Sequence, residues 1–171
     1  MGFTTVPTVA TNDPWTAAQH NQYIRDNFAA VRPDTGIARR AANQSISNAS
    51  EEALSLDTED DDTAGFFDIA GNPTRLTYPY TGIFLVVAEV AWAANTTGDR
   101  GIELERNGGG VADKTDYRGA YQRSGVATSQ NITLIAPRSG SDYHELFCFQ
   151  DSTAALNITG KISVATLRDD S

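Results

Sequence analysis

The longest apolar stretch of the chain, Ile83–Trp92, predicts a β-strand with apolar residues on both faces. It is rich in β-branched residues and is interrupted only by Glu89. A strand that is buried on one side alternates apolar with polar residues, so this strand needs cover on both sides. The following segment, Ala93–Arg100, is short and rich in turn residues, which excludes a helical crossover to a parallel strand. We therefore predict an antiparallel sandwich whose outer face is covered by a second copy of the chain.

A later segment, Tyr143–Gln150, repeats this mixed pattern. Tyr143, Phe147 and Phe149 share one face of the predicted strand, and apolar residues also occur on the other face. This second doubly apolar strand strengthens the prediction of self-association.

Short strand-like segments separated by turn residues fill the chain after Gly36. About ten strands at this spacing, without a helical period between them, indicate a sandwich or a barrel. We predict an all-β antiparallel sandwich of about ten strands, drawn from eleven candidate segments. The predicted segments are Ile37–Ile46, Ala53–Leu56, Phe66–Ile69, Thr74–Tyr78, Ile83–Trp92, Gly101–Arg106, Tyr117–Thr128, Asn131–Ala136, Tyr143–Gln150, Ala155–Ile158 and Ile162–Leu167.

The N-terminal residues predict an extended arm and one helix. Met1–Asn12 is polar and rich in threonine, and Asp13-Pro14 has the residues of a helix start. The helix is expected to end at Val31 or Arg32, because Pro33 disfavours helical conformation in the residue before it. The boundary divides the chain into an arm and helix for anchoring or assembly, residues 1–35, and a β domain, residues 36–171.

The predicted helix has a narrow stripe of apolar side chains, with one asparagine on the same side. An isolated helix of this length is marginal in water, so it docks on its own domain, bundles with its copies or binds another protein. A single polar residue within such a stripe is typical of a helix-bundle seam, where it determines the register. The stripe consists of Ala17, Asn21, Ile24, Phe28 and Val31.

Composition and charge exclude several classes of partner. The chain has 171 residues and a formal net charge of −9, as expected for one acidic globular domain. Acids and bases nearly balance outside Glu51–Asp62, so no basic surface for nucleic acid is predicted. No apolar run is long enough to span a membrane and no signal peptide is recognised.

The acidic segment is the one candidate metal site. Asp57, Glu59, Asp61 and Asp68 are spaced like ligands of a calcium loop, but Asp62 stands where that motif has glycine. A solvated acidic loop, or a contact with a basic partner, is the favoured interpretation, with specific calcium binding as the alternative.

No catalytic constellation and no cofactor site is predicted. His144 and Cys148 fall on one strand face about 13 Å apart, too far for direct contact. His20 has no motif around it, and the single cysteine is expected to be a buried structural residue. The sequence therefore predicts a protein that is not an enzyme.

Several motifs in order resemble the tumour necrosis factor and complement globular-head superfamily. They are Arg75-Leu76-Thr77, Tyr80–Val86, Trp92-x-x-Asn95-x-x-Gly98-x-Arg100, Asn107-Gly108, Tyr143–Gln150, Asp151-Ser152 and Leu156-Asn157-Ile158. One departure is Gly140-Ser141-Asp142, where the family has Gly-Asp. The resemblance covers Ile37 to Leu167 and implies a ten-strand jelly roll that forms a homotrimer. We assign the trimer interface to Leu85, Val87, Tyr143, Phe147 and Phe149.

The segment Trp15–Asn27 is similar to the start of many tailed-phage virion proteins. Together the two resemblances imply a non-enzymatic virion protein that binds other capsid or tail proteins, as a capsid decoration or head fibre or as a tail-fibre tip. A carbohydrate-binding module that recognises a host-surface glycan is the alternative, since jelly rolls also form lectins. Its candidate stacking residues are Tyr78, Tyr80, Tyr117 and Tyr121.

Overall fold

The structure, a computed structural model, describes residues 15–30, 32–108, 118–122 and 129–170. In this part of the chain one helix precedes ten strands. The elements are α1 (Ala17–Ala30), β1 (Thr35–Ile46), β2 (Ser50–Ala53), β3 (Thr58–Asp62), β4 (Arg75–Thr77), β5 (Gly82–Trp92), β6 (Arg100–Arg106), β7 (Arg118–Gln122), β8 (Ser129–Arg138), β9 (Tyr143–Gln150) and β10 (Leu156–Asp169).

The strands form two sheets in which every pairing is antiparallel. The first sheet has the order β3-β1-β10-β5-β8. The second has the order β2-β9-β6-β7, and β4 also pairs with β9. Non-consecutive neighbours such as β1 and β10, or β5 and β8, are the crossovers of a jelly roll. The predicted all-β, ten-strand antiparallel jelly-roll sandwich is confirmed.

The core lies between the two sheets and is formed by alternate residues of each strand. On β8 the inward residues Ile132, Leu134 and Ala136 are buried, and every residue between them is exposed. Phe84 of β5 is fully buried, and its ring centroid lies 4.6 Å from that of Tyr78. Burying one such aromatic side chain contributes roughly 1.5–3 kcal/mol.

The acidic segment is not a loop, which corrects the favoured interpretation. Its second half is strand β3, which pairs with β1 at the edge of the first sheet. Propensity disfavours a strand made of Thr-Glu-Asp-Asp-Asp, but pairing with β1 supplies hydrogen bonds that local sequence does not reveal. Glu59 and Asp60 are exposed on this edge, where like charges discourage pairing with a further strand.

The segment Phe66–Ile69 is not a strand, contrary to the prediction. It contains one isolated bridge, between Phe67 and Leu76. The Asp62 carboxylate accepts the backbone N–H groups of residues 64–67, so these donors are satisfied by a side chain instead of a sheet. Phe66 and Phe67 are buried as loop residues that close one end of the core.

Other predicted boundaries are also wrong. The strand placed at Ala53–Leu56 is β2, which ends at Ala53. The two segments predicted at the end of the chain are one strand, β10, which continues through Gly160. A Cβ atom at Gly160 would lie 2.8 Å from the Glu89 carbonyl oxygen and 2.8 Å from Leu54 Cδ2, so glycine is needed for close approach. Of the segment predicted at Tyr117–Thr128, β7 covers 118–122, and residues 117 and 123–128 lie outside the described residues.

Helix α1 begins later than predicted. Asp13 and Pro14 lie outside the described residues, and the helix starts at Ala17. Its cap is a reciprocal pair: Thr16 Oγ1 accepts from the Gln19 backbone N–H at 3.2 Å, and Gln19 Oε1 accepts from the Thr16 N–H at 3.1 Å. This capping box satisfies two donors that a helix start leaves unpaired. The Thr-x-x-Gln spacing is a signal that the sequence itself contains.

Candidate interaction surface

The outer face of the first sheet is built from rows of paired residues on β1, β10, β5 and β8. We call it the first-sheet face. One row joins Thr35, Ala165, Leu85 and Ile135 across the four strands. The next row joins Ile37, Ser163, Val87 and Thr133, and a third joins Arg39, Lys161, Glu89 and Asn131. The rows therefore change from apolar to charged along the strands.

The apolar end of this face is accessible in a single chain. The side chain of Ile135 is 62 % exposed, and that of Leu167 is 54 % exposed. Leu85 pairs with Ile135, and Val87 follows two residues along β5; both are half-buried between β10 and β8. On the same face, two residues before Leu85, Ile83 of β5 pairs with Pro137 of β8. Contiguous apolar groups of this kind mark interaction sites on folded domains.

The charged end of the face carries surface ion pairs and a shallow groove. Lys161 Nζ lies 3.3 Å from Glu89 Oε2, and Arg39 Nε lies 3.0 Å from Asp60 Oδ2. Exposed pairs of this kind contribute little stability, because water and salt screen them. The groove has a volume of about 520 Å³ and lies between β1, β10, β5 and β8. Its lining mixes both signs of charge and does not indicate one ligand.

The structure brings only part of the predicted trimer interface together. Leu85 and Val87 lie on the first-sheet face. Tyr143, Phe147 and Phe149 are half-buried on β9 and point to the outer side of the second sheet, because the alternate residues of β9 face the core. The two groups are on opposite sides of the sandwich, so a single face of one chain presents only one of them.

Tyr143 of the second-sheet group has a partner within its own chain. The Arg75 guanidinium carbon lies 4.0 Å from the centre of the Tyr143 ring. Arg75 Nε is 3.6 Å from Glu145 Oε1, and the Thr74 hydroxyl donates to the same oxygen at 2.5 Å. A cation over an aromatic face contributes roughly 0.5–1 kcal/mol at an exposed site. This end of the second sheet is therefore a polar intramolecular cluster.

The chain joins α1 to the apolar end of the first-sheet face. The Tyr80 hydroxyl donates to Asp34 Oδ2 at 2.6 Å, and the Thr166 backbone N–H donates to the Asp34 carbonyl oxygen at 2.9 Å. Burial raises the pKa of the Tyr80 hydroxyl to about 12, and the hydrogen bond to Asp34 adds to the shift. Asp34 thereby holds the start of β1 next to β10 and the β4–β5 connection.

The predicted anchor residues of α1 lie along one exposed stripe. Phe28 is 69 % exposed and Ile24 is 44 % exposed, and Ala17 and Asn21 are exposed as well. Val31 lies outside the described residues. No strand makes more than an isolated contact with the described part of α1, so the alternative of a helix docked on its own domain is not observed.

The four carboxylates of the predicted calcium loop are not brought together. Asp57 accepts the backbone N–H groups of Ala41 and Ala42 at 2.8 and 3.0 Å, which lowers the pKa of Asp57 to about 2. Asp61 Oδ2 accepts from the Thr35 hydroxyl, and Asp68 Oδ1 accepts from the Gly71 N–H. Glu59 is exposed on β3. Within the described ranges no group of three or more His, Cys, Asp or Glu side chains is arranged to hold a metal ion.

His144 belongs to a buried group of polar side chains. The His144 ring is fully buried, with Nδ1 2.6 Å from the Tyr78 hydroxyl and Nε2 3.2 Å from Arg138 Nη2. Arginine only donates, so Nε2 accepts and the ring proton lies on Nδ1. The group ties β8 and β9 to the segment after β4 and is a structural contact. Tyr78 is fully buried in this group, so its ring is not available to stack on a sugar. The Tyr80 ring is half-buried and packs against Phe66 and Phe84.

Cys148 is buried in the core, as predicted. Its burial raises the pKa of the thiol to about 12, and the nearby Glu52 carboxylate adds to the shift. A thiol in this environment is not a nucleophile at neutral pH. Tyr117 lies outside the described residues, and only the backbone of Tyr121 is described.

Known structures share this architecture at low sequence identity. No protein-family model and no curated protein matches the sequence. The globular domain of zebrafish complement 1qA protein superposes with a TM-score of 0.61 at 9 % identity, over 80 % of this chain and 99 % of that chain. PRD1 vertex protein P5 gives a TM-score of 0.57 at 14 % identity, over 79 % and 97 %. Eiger TNF from S. frugiperda gives 0.56 at 12 % identity, over 82 % and 96 %.

The chain has the fold of a tumour necrosis factor-like jelly roll. The family resemblance inferred from the sequence motifs is thus confirmed for the fold. Within this jelly roll, the first-sheet face includes two exposed residues that the sequence analysis did not name. Ile135 could have been found from the alternation of β8, in which Asn131 and Thr133 share its face. Leu167 could not, because it lies where the pairing of β10 with β5 shifts between Thr166 and Arg168.

No helix in the described part of this jelly-roll protein is both long and apolar enough to cross a membrane.

Proposed function

We propose that the protein is a non-enzymatic, homotrimeric structural component of a phage particle. The jelly roll is the exposed knob, and the N-terminal segment, residues 1–35, attaches it to other virion proteins. The observation that carries the proposal is the exposed apolar end of the first-sheet face, centred on Ile135 and Leu85. Burying this surface between copies removes apolar area from water, which stabilises the assembly by roughly 25 cal/mol for each Å² buried.

The first-sheet face suits an interface between copies for a second reason. Its other rows carry Arg39 and Lys161 next to Glu89, with Asp60 at the edge. Both signs of charge are present on one surface, so symmetric copies can place opposite charges opposite one another. The interface residues Leu85 and Val87 belong to this proposal, and Tyr143, Phe147 and Phe149 remain a competing prediction on the other sheet.

The particle assignment rests on two similarities. The segment Trp15–Asn27 is similar to the start of many tailed-phage virion proteins. One of the solved structures that share the fold is PRD1 vertex protein P5, whose name describes a particle component. Attachment as a capsid decoration or head fibre and attachment as a tail-fibre tip are both compatible with this proposal.

Sedimentation velocity on purified protein tests the trimer. We expect a trimer for the unmodified chain and for Thr96→Asp, and monomers for Ile135→Asp. Both substituted residues are exposed, and Thr96 lies in the connection between β5 and β6, outside the strands of the first-sheet face, so both variants should fold. Phe147→Asp tests the second-sheet alternative and is expected to leave the trimer intact. A monomeric unmodified chain, or an Ile135→Asp trimer of unchanged stability, would contradict the proposed interface.

Immunogold labelling of intact particles tests the location. Antibodies against the purified jelly roll should decorate particles at repeated positions, on the head or on the tail. Particles that carry no label, and whose proteins lack this chain by mass spectrometry, would contradict the virion assignment.

A further inference from the structure

Helix α1 has an uncovered stripe with the spacing of a coiled-coil seam. The stripe residues Ala17, Asn21, Ile24 and Phe28 follow one another at intervals of four, three and four residues. This alternation is the heptad spacing of a and d positions, with Asn21 and Phe28 at a and with Ala17 and Ile24 at d. Ile24 and Phe28 are among the exposed large hydrophobic residues of the described chain.

The chain covers a different face of the helix. Trp15 folds back so that its ring centroid lies 5.4 Å from that of Tyr23 and 6.1 Å from that of His20. With 3.6 residues per turn, positions 20 and 23 lie about 70° and about 130° around the helix from the centre of the stripe. Arg25 pairs with its neighbour Asp26 at 3.1 Å, away from the seam. The apolar stripe is therefore the face that needs a partner from outside the helix.

The composition of the stripe indicates which partner fits. An apolar groove on an unrelated protein would bury the Asn21 amide without a hydrogen-bond partner, which is unfavourable. In a symmetric bundle the copies of Asn21 meet at the same level, and each amide can both donate and accept. A polar residue at one a position is a known device for setting register and oligomeric state. A second and third copy of α1 satisfy Asn21 and cover Phe28 together.

The position of the helix brings its copies together. Four residues, 31–34, connect Ala30 to Thr35, and Thr35 lies in the row that contains Leu85 and Ile135. Asp34 is bonded to both Tyr80 and Thr166, so the end of this connection is held at the apolar end of the first-sheet face. An assembly that buries this face therefore gathers three helix ends on the same side of the knob.

We propose that three copies of α1 form a short parallel coiled coil next to the jelly-roll trimer, with Ala17, Asn21, Ile24 and Phe28 in its seam. This inference rests on the trimer proposed above. The helix is about 21 Å long, which is marginal for an isolated helix. Tethering to an assembled trimer gives the helices an effective concentration in the millimolar range, so two heptads are sufficient. The coiled coil is then a stalk, and attachment to the particle is made by residues N-terminal to it.

Disulfide trapping in the full-length chain tests the seam. Phe28→Cys places one thiol per chain at an a position, and Asp26→Cys places one on the opposite side of the same helix. The one native cysteine, Cys148, is buried, so the unmodified chain is the blank. Under mild oxidation we expect most Phe28→Cys chains to run as disulfide-linked dimers, since two of three thiols can pair, and the other two proteins to remain at background.

The outcomes separate this inference from the trimer itself. A trimer by sedimentation in which Phe28→Cys crosslinks no better than Asp26→Cys overturns the coiled coil and leaves the knob interface standing. A monomeric chain overturns both.

Hydrogen exchange gives an independent reading that does not need an added thiol. Backbone amides of Ala17–Ala30 should exchange at least tenfold more slowly in the unmodified trimer than in Ile24→Asp, while the jelly-roll trimer persists in both. Equal exchange rates in the two proteins would also overturn the coiled coil.

Discussion

The Tyr80 hydroxyl donates a 2.6 Å hydrogen bond to the carboxylate of Asp34, and this contact ties the connection after helix α1 to the segment before β5. The same hydroxyl lies 2.7 Å from the Thr166 hydroxyl of β10. Three parts of the chain that are far apart in sequence thus meet at one phenol. The contact determines where the helix leaves the jelly roll.

Removing this hydroxyl should loosen the junction. We expect Tyr80→Phe to lower the free energy of unfolding by about 1–2 kcal/mol, because a partly buried hydrogen bond to a carboxylate is lost. Urea denaturation at pH 7 measures the change. Tyr143→Phe is the matched control and should cost less than about 0.5 kcal/mol, since the Tyr143 contact with Arg75 uses the ring. Equal effects of the two variants would contradict the role of the Tyr80 hydroxyl.

The same contact predicts that the folded protein loses stability at alkaline pH. The pKa of Tyr80 is raised from 10.0 to about 12, mainly by burial, so the folded state favours the protonated phenol. Its contribution is fully present below pH 10 and is lost as the pH rises towards 12. Between these values the stability of the unmodified chain should fall more steeply than that of Tyr80→Phe, as measured by urea denaturation. Parallel pH profiles would contradict this assignment.

The lowered pKa of Asp57, which binds the bulge of β1, predicts a loss of stability at acid pH. Backbone N–H groups of Ala41 and Ala42 lower the pKa of Asp57 from 3.8 to about 2. A lowered pKa contributes stability above pH 3.8 that is lost as the pH falls towards 2. We expect Asp57→Asn to cost about 1 kcal/mol at pH 7 and to show a smaller loss between pH 4 and pH 2. Asp60→Asn, which removes only a surface ion pair with Arg39, should follow the unmodified chain.

Gly160 should not tolerate a side chain. Gly160→Ala would place a methyl group 2.8 Å from the Glu89 carbonyl oxygen and Leu54 Cδ2, so one of the neighbours must move. We expect a loss of about 1–3 kcal/mol in thermal or urea unfolding. Gly140→Ala, whose nearest neighbour would be the Tyr80 Cα at 3.4 Å, is the control and should be nearly neutral. A neutral Gly160→Ala would show that β10 and β5 are less closely packed at this point.

Cys148 should be chemically silent in the folded protein. Burial raises the pKa of the thiol to about 12 and blocks access to reagents. We expect Ellman's reagent at pH 8 to give no measurable reaction with the native chain and one thiol per chain after unfolding in urea. Rapid stoichiometric reaction of the native protein would contradict the burial of β9 at this position.

The amino-acid sequence by itself determined the all-β class, the doubly apolar strand β5, the mixed strand β9 and the exposed stripe on α1. These follow from side-chain period, which is a local property: two residues in a strand and 3.6 in a helix. The stripe of Asn21, Ile24 and Phe28 likewise follows from residue spacing alone. The predicted start of the helix is wrong by a few residues, because the helix begins at Ala17.

Only the tertiary structure decided how these elements are used. Strand β3 forms because β1 lies beside it, although its Glu59 and Asp60 disfavour a strand. Leu85 and Phe147, both predicted as interface residues, look equivalent in sequence, but sheet pairing places them on opposite sides of the sandwich. Ile135 and Leu85 share a row because β8 pairs with β5 across a separation of about fifty residues. Such pairings depend on long-range contacts, which no local pattern contains.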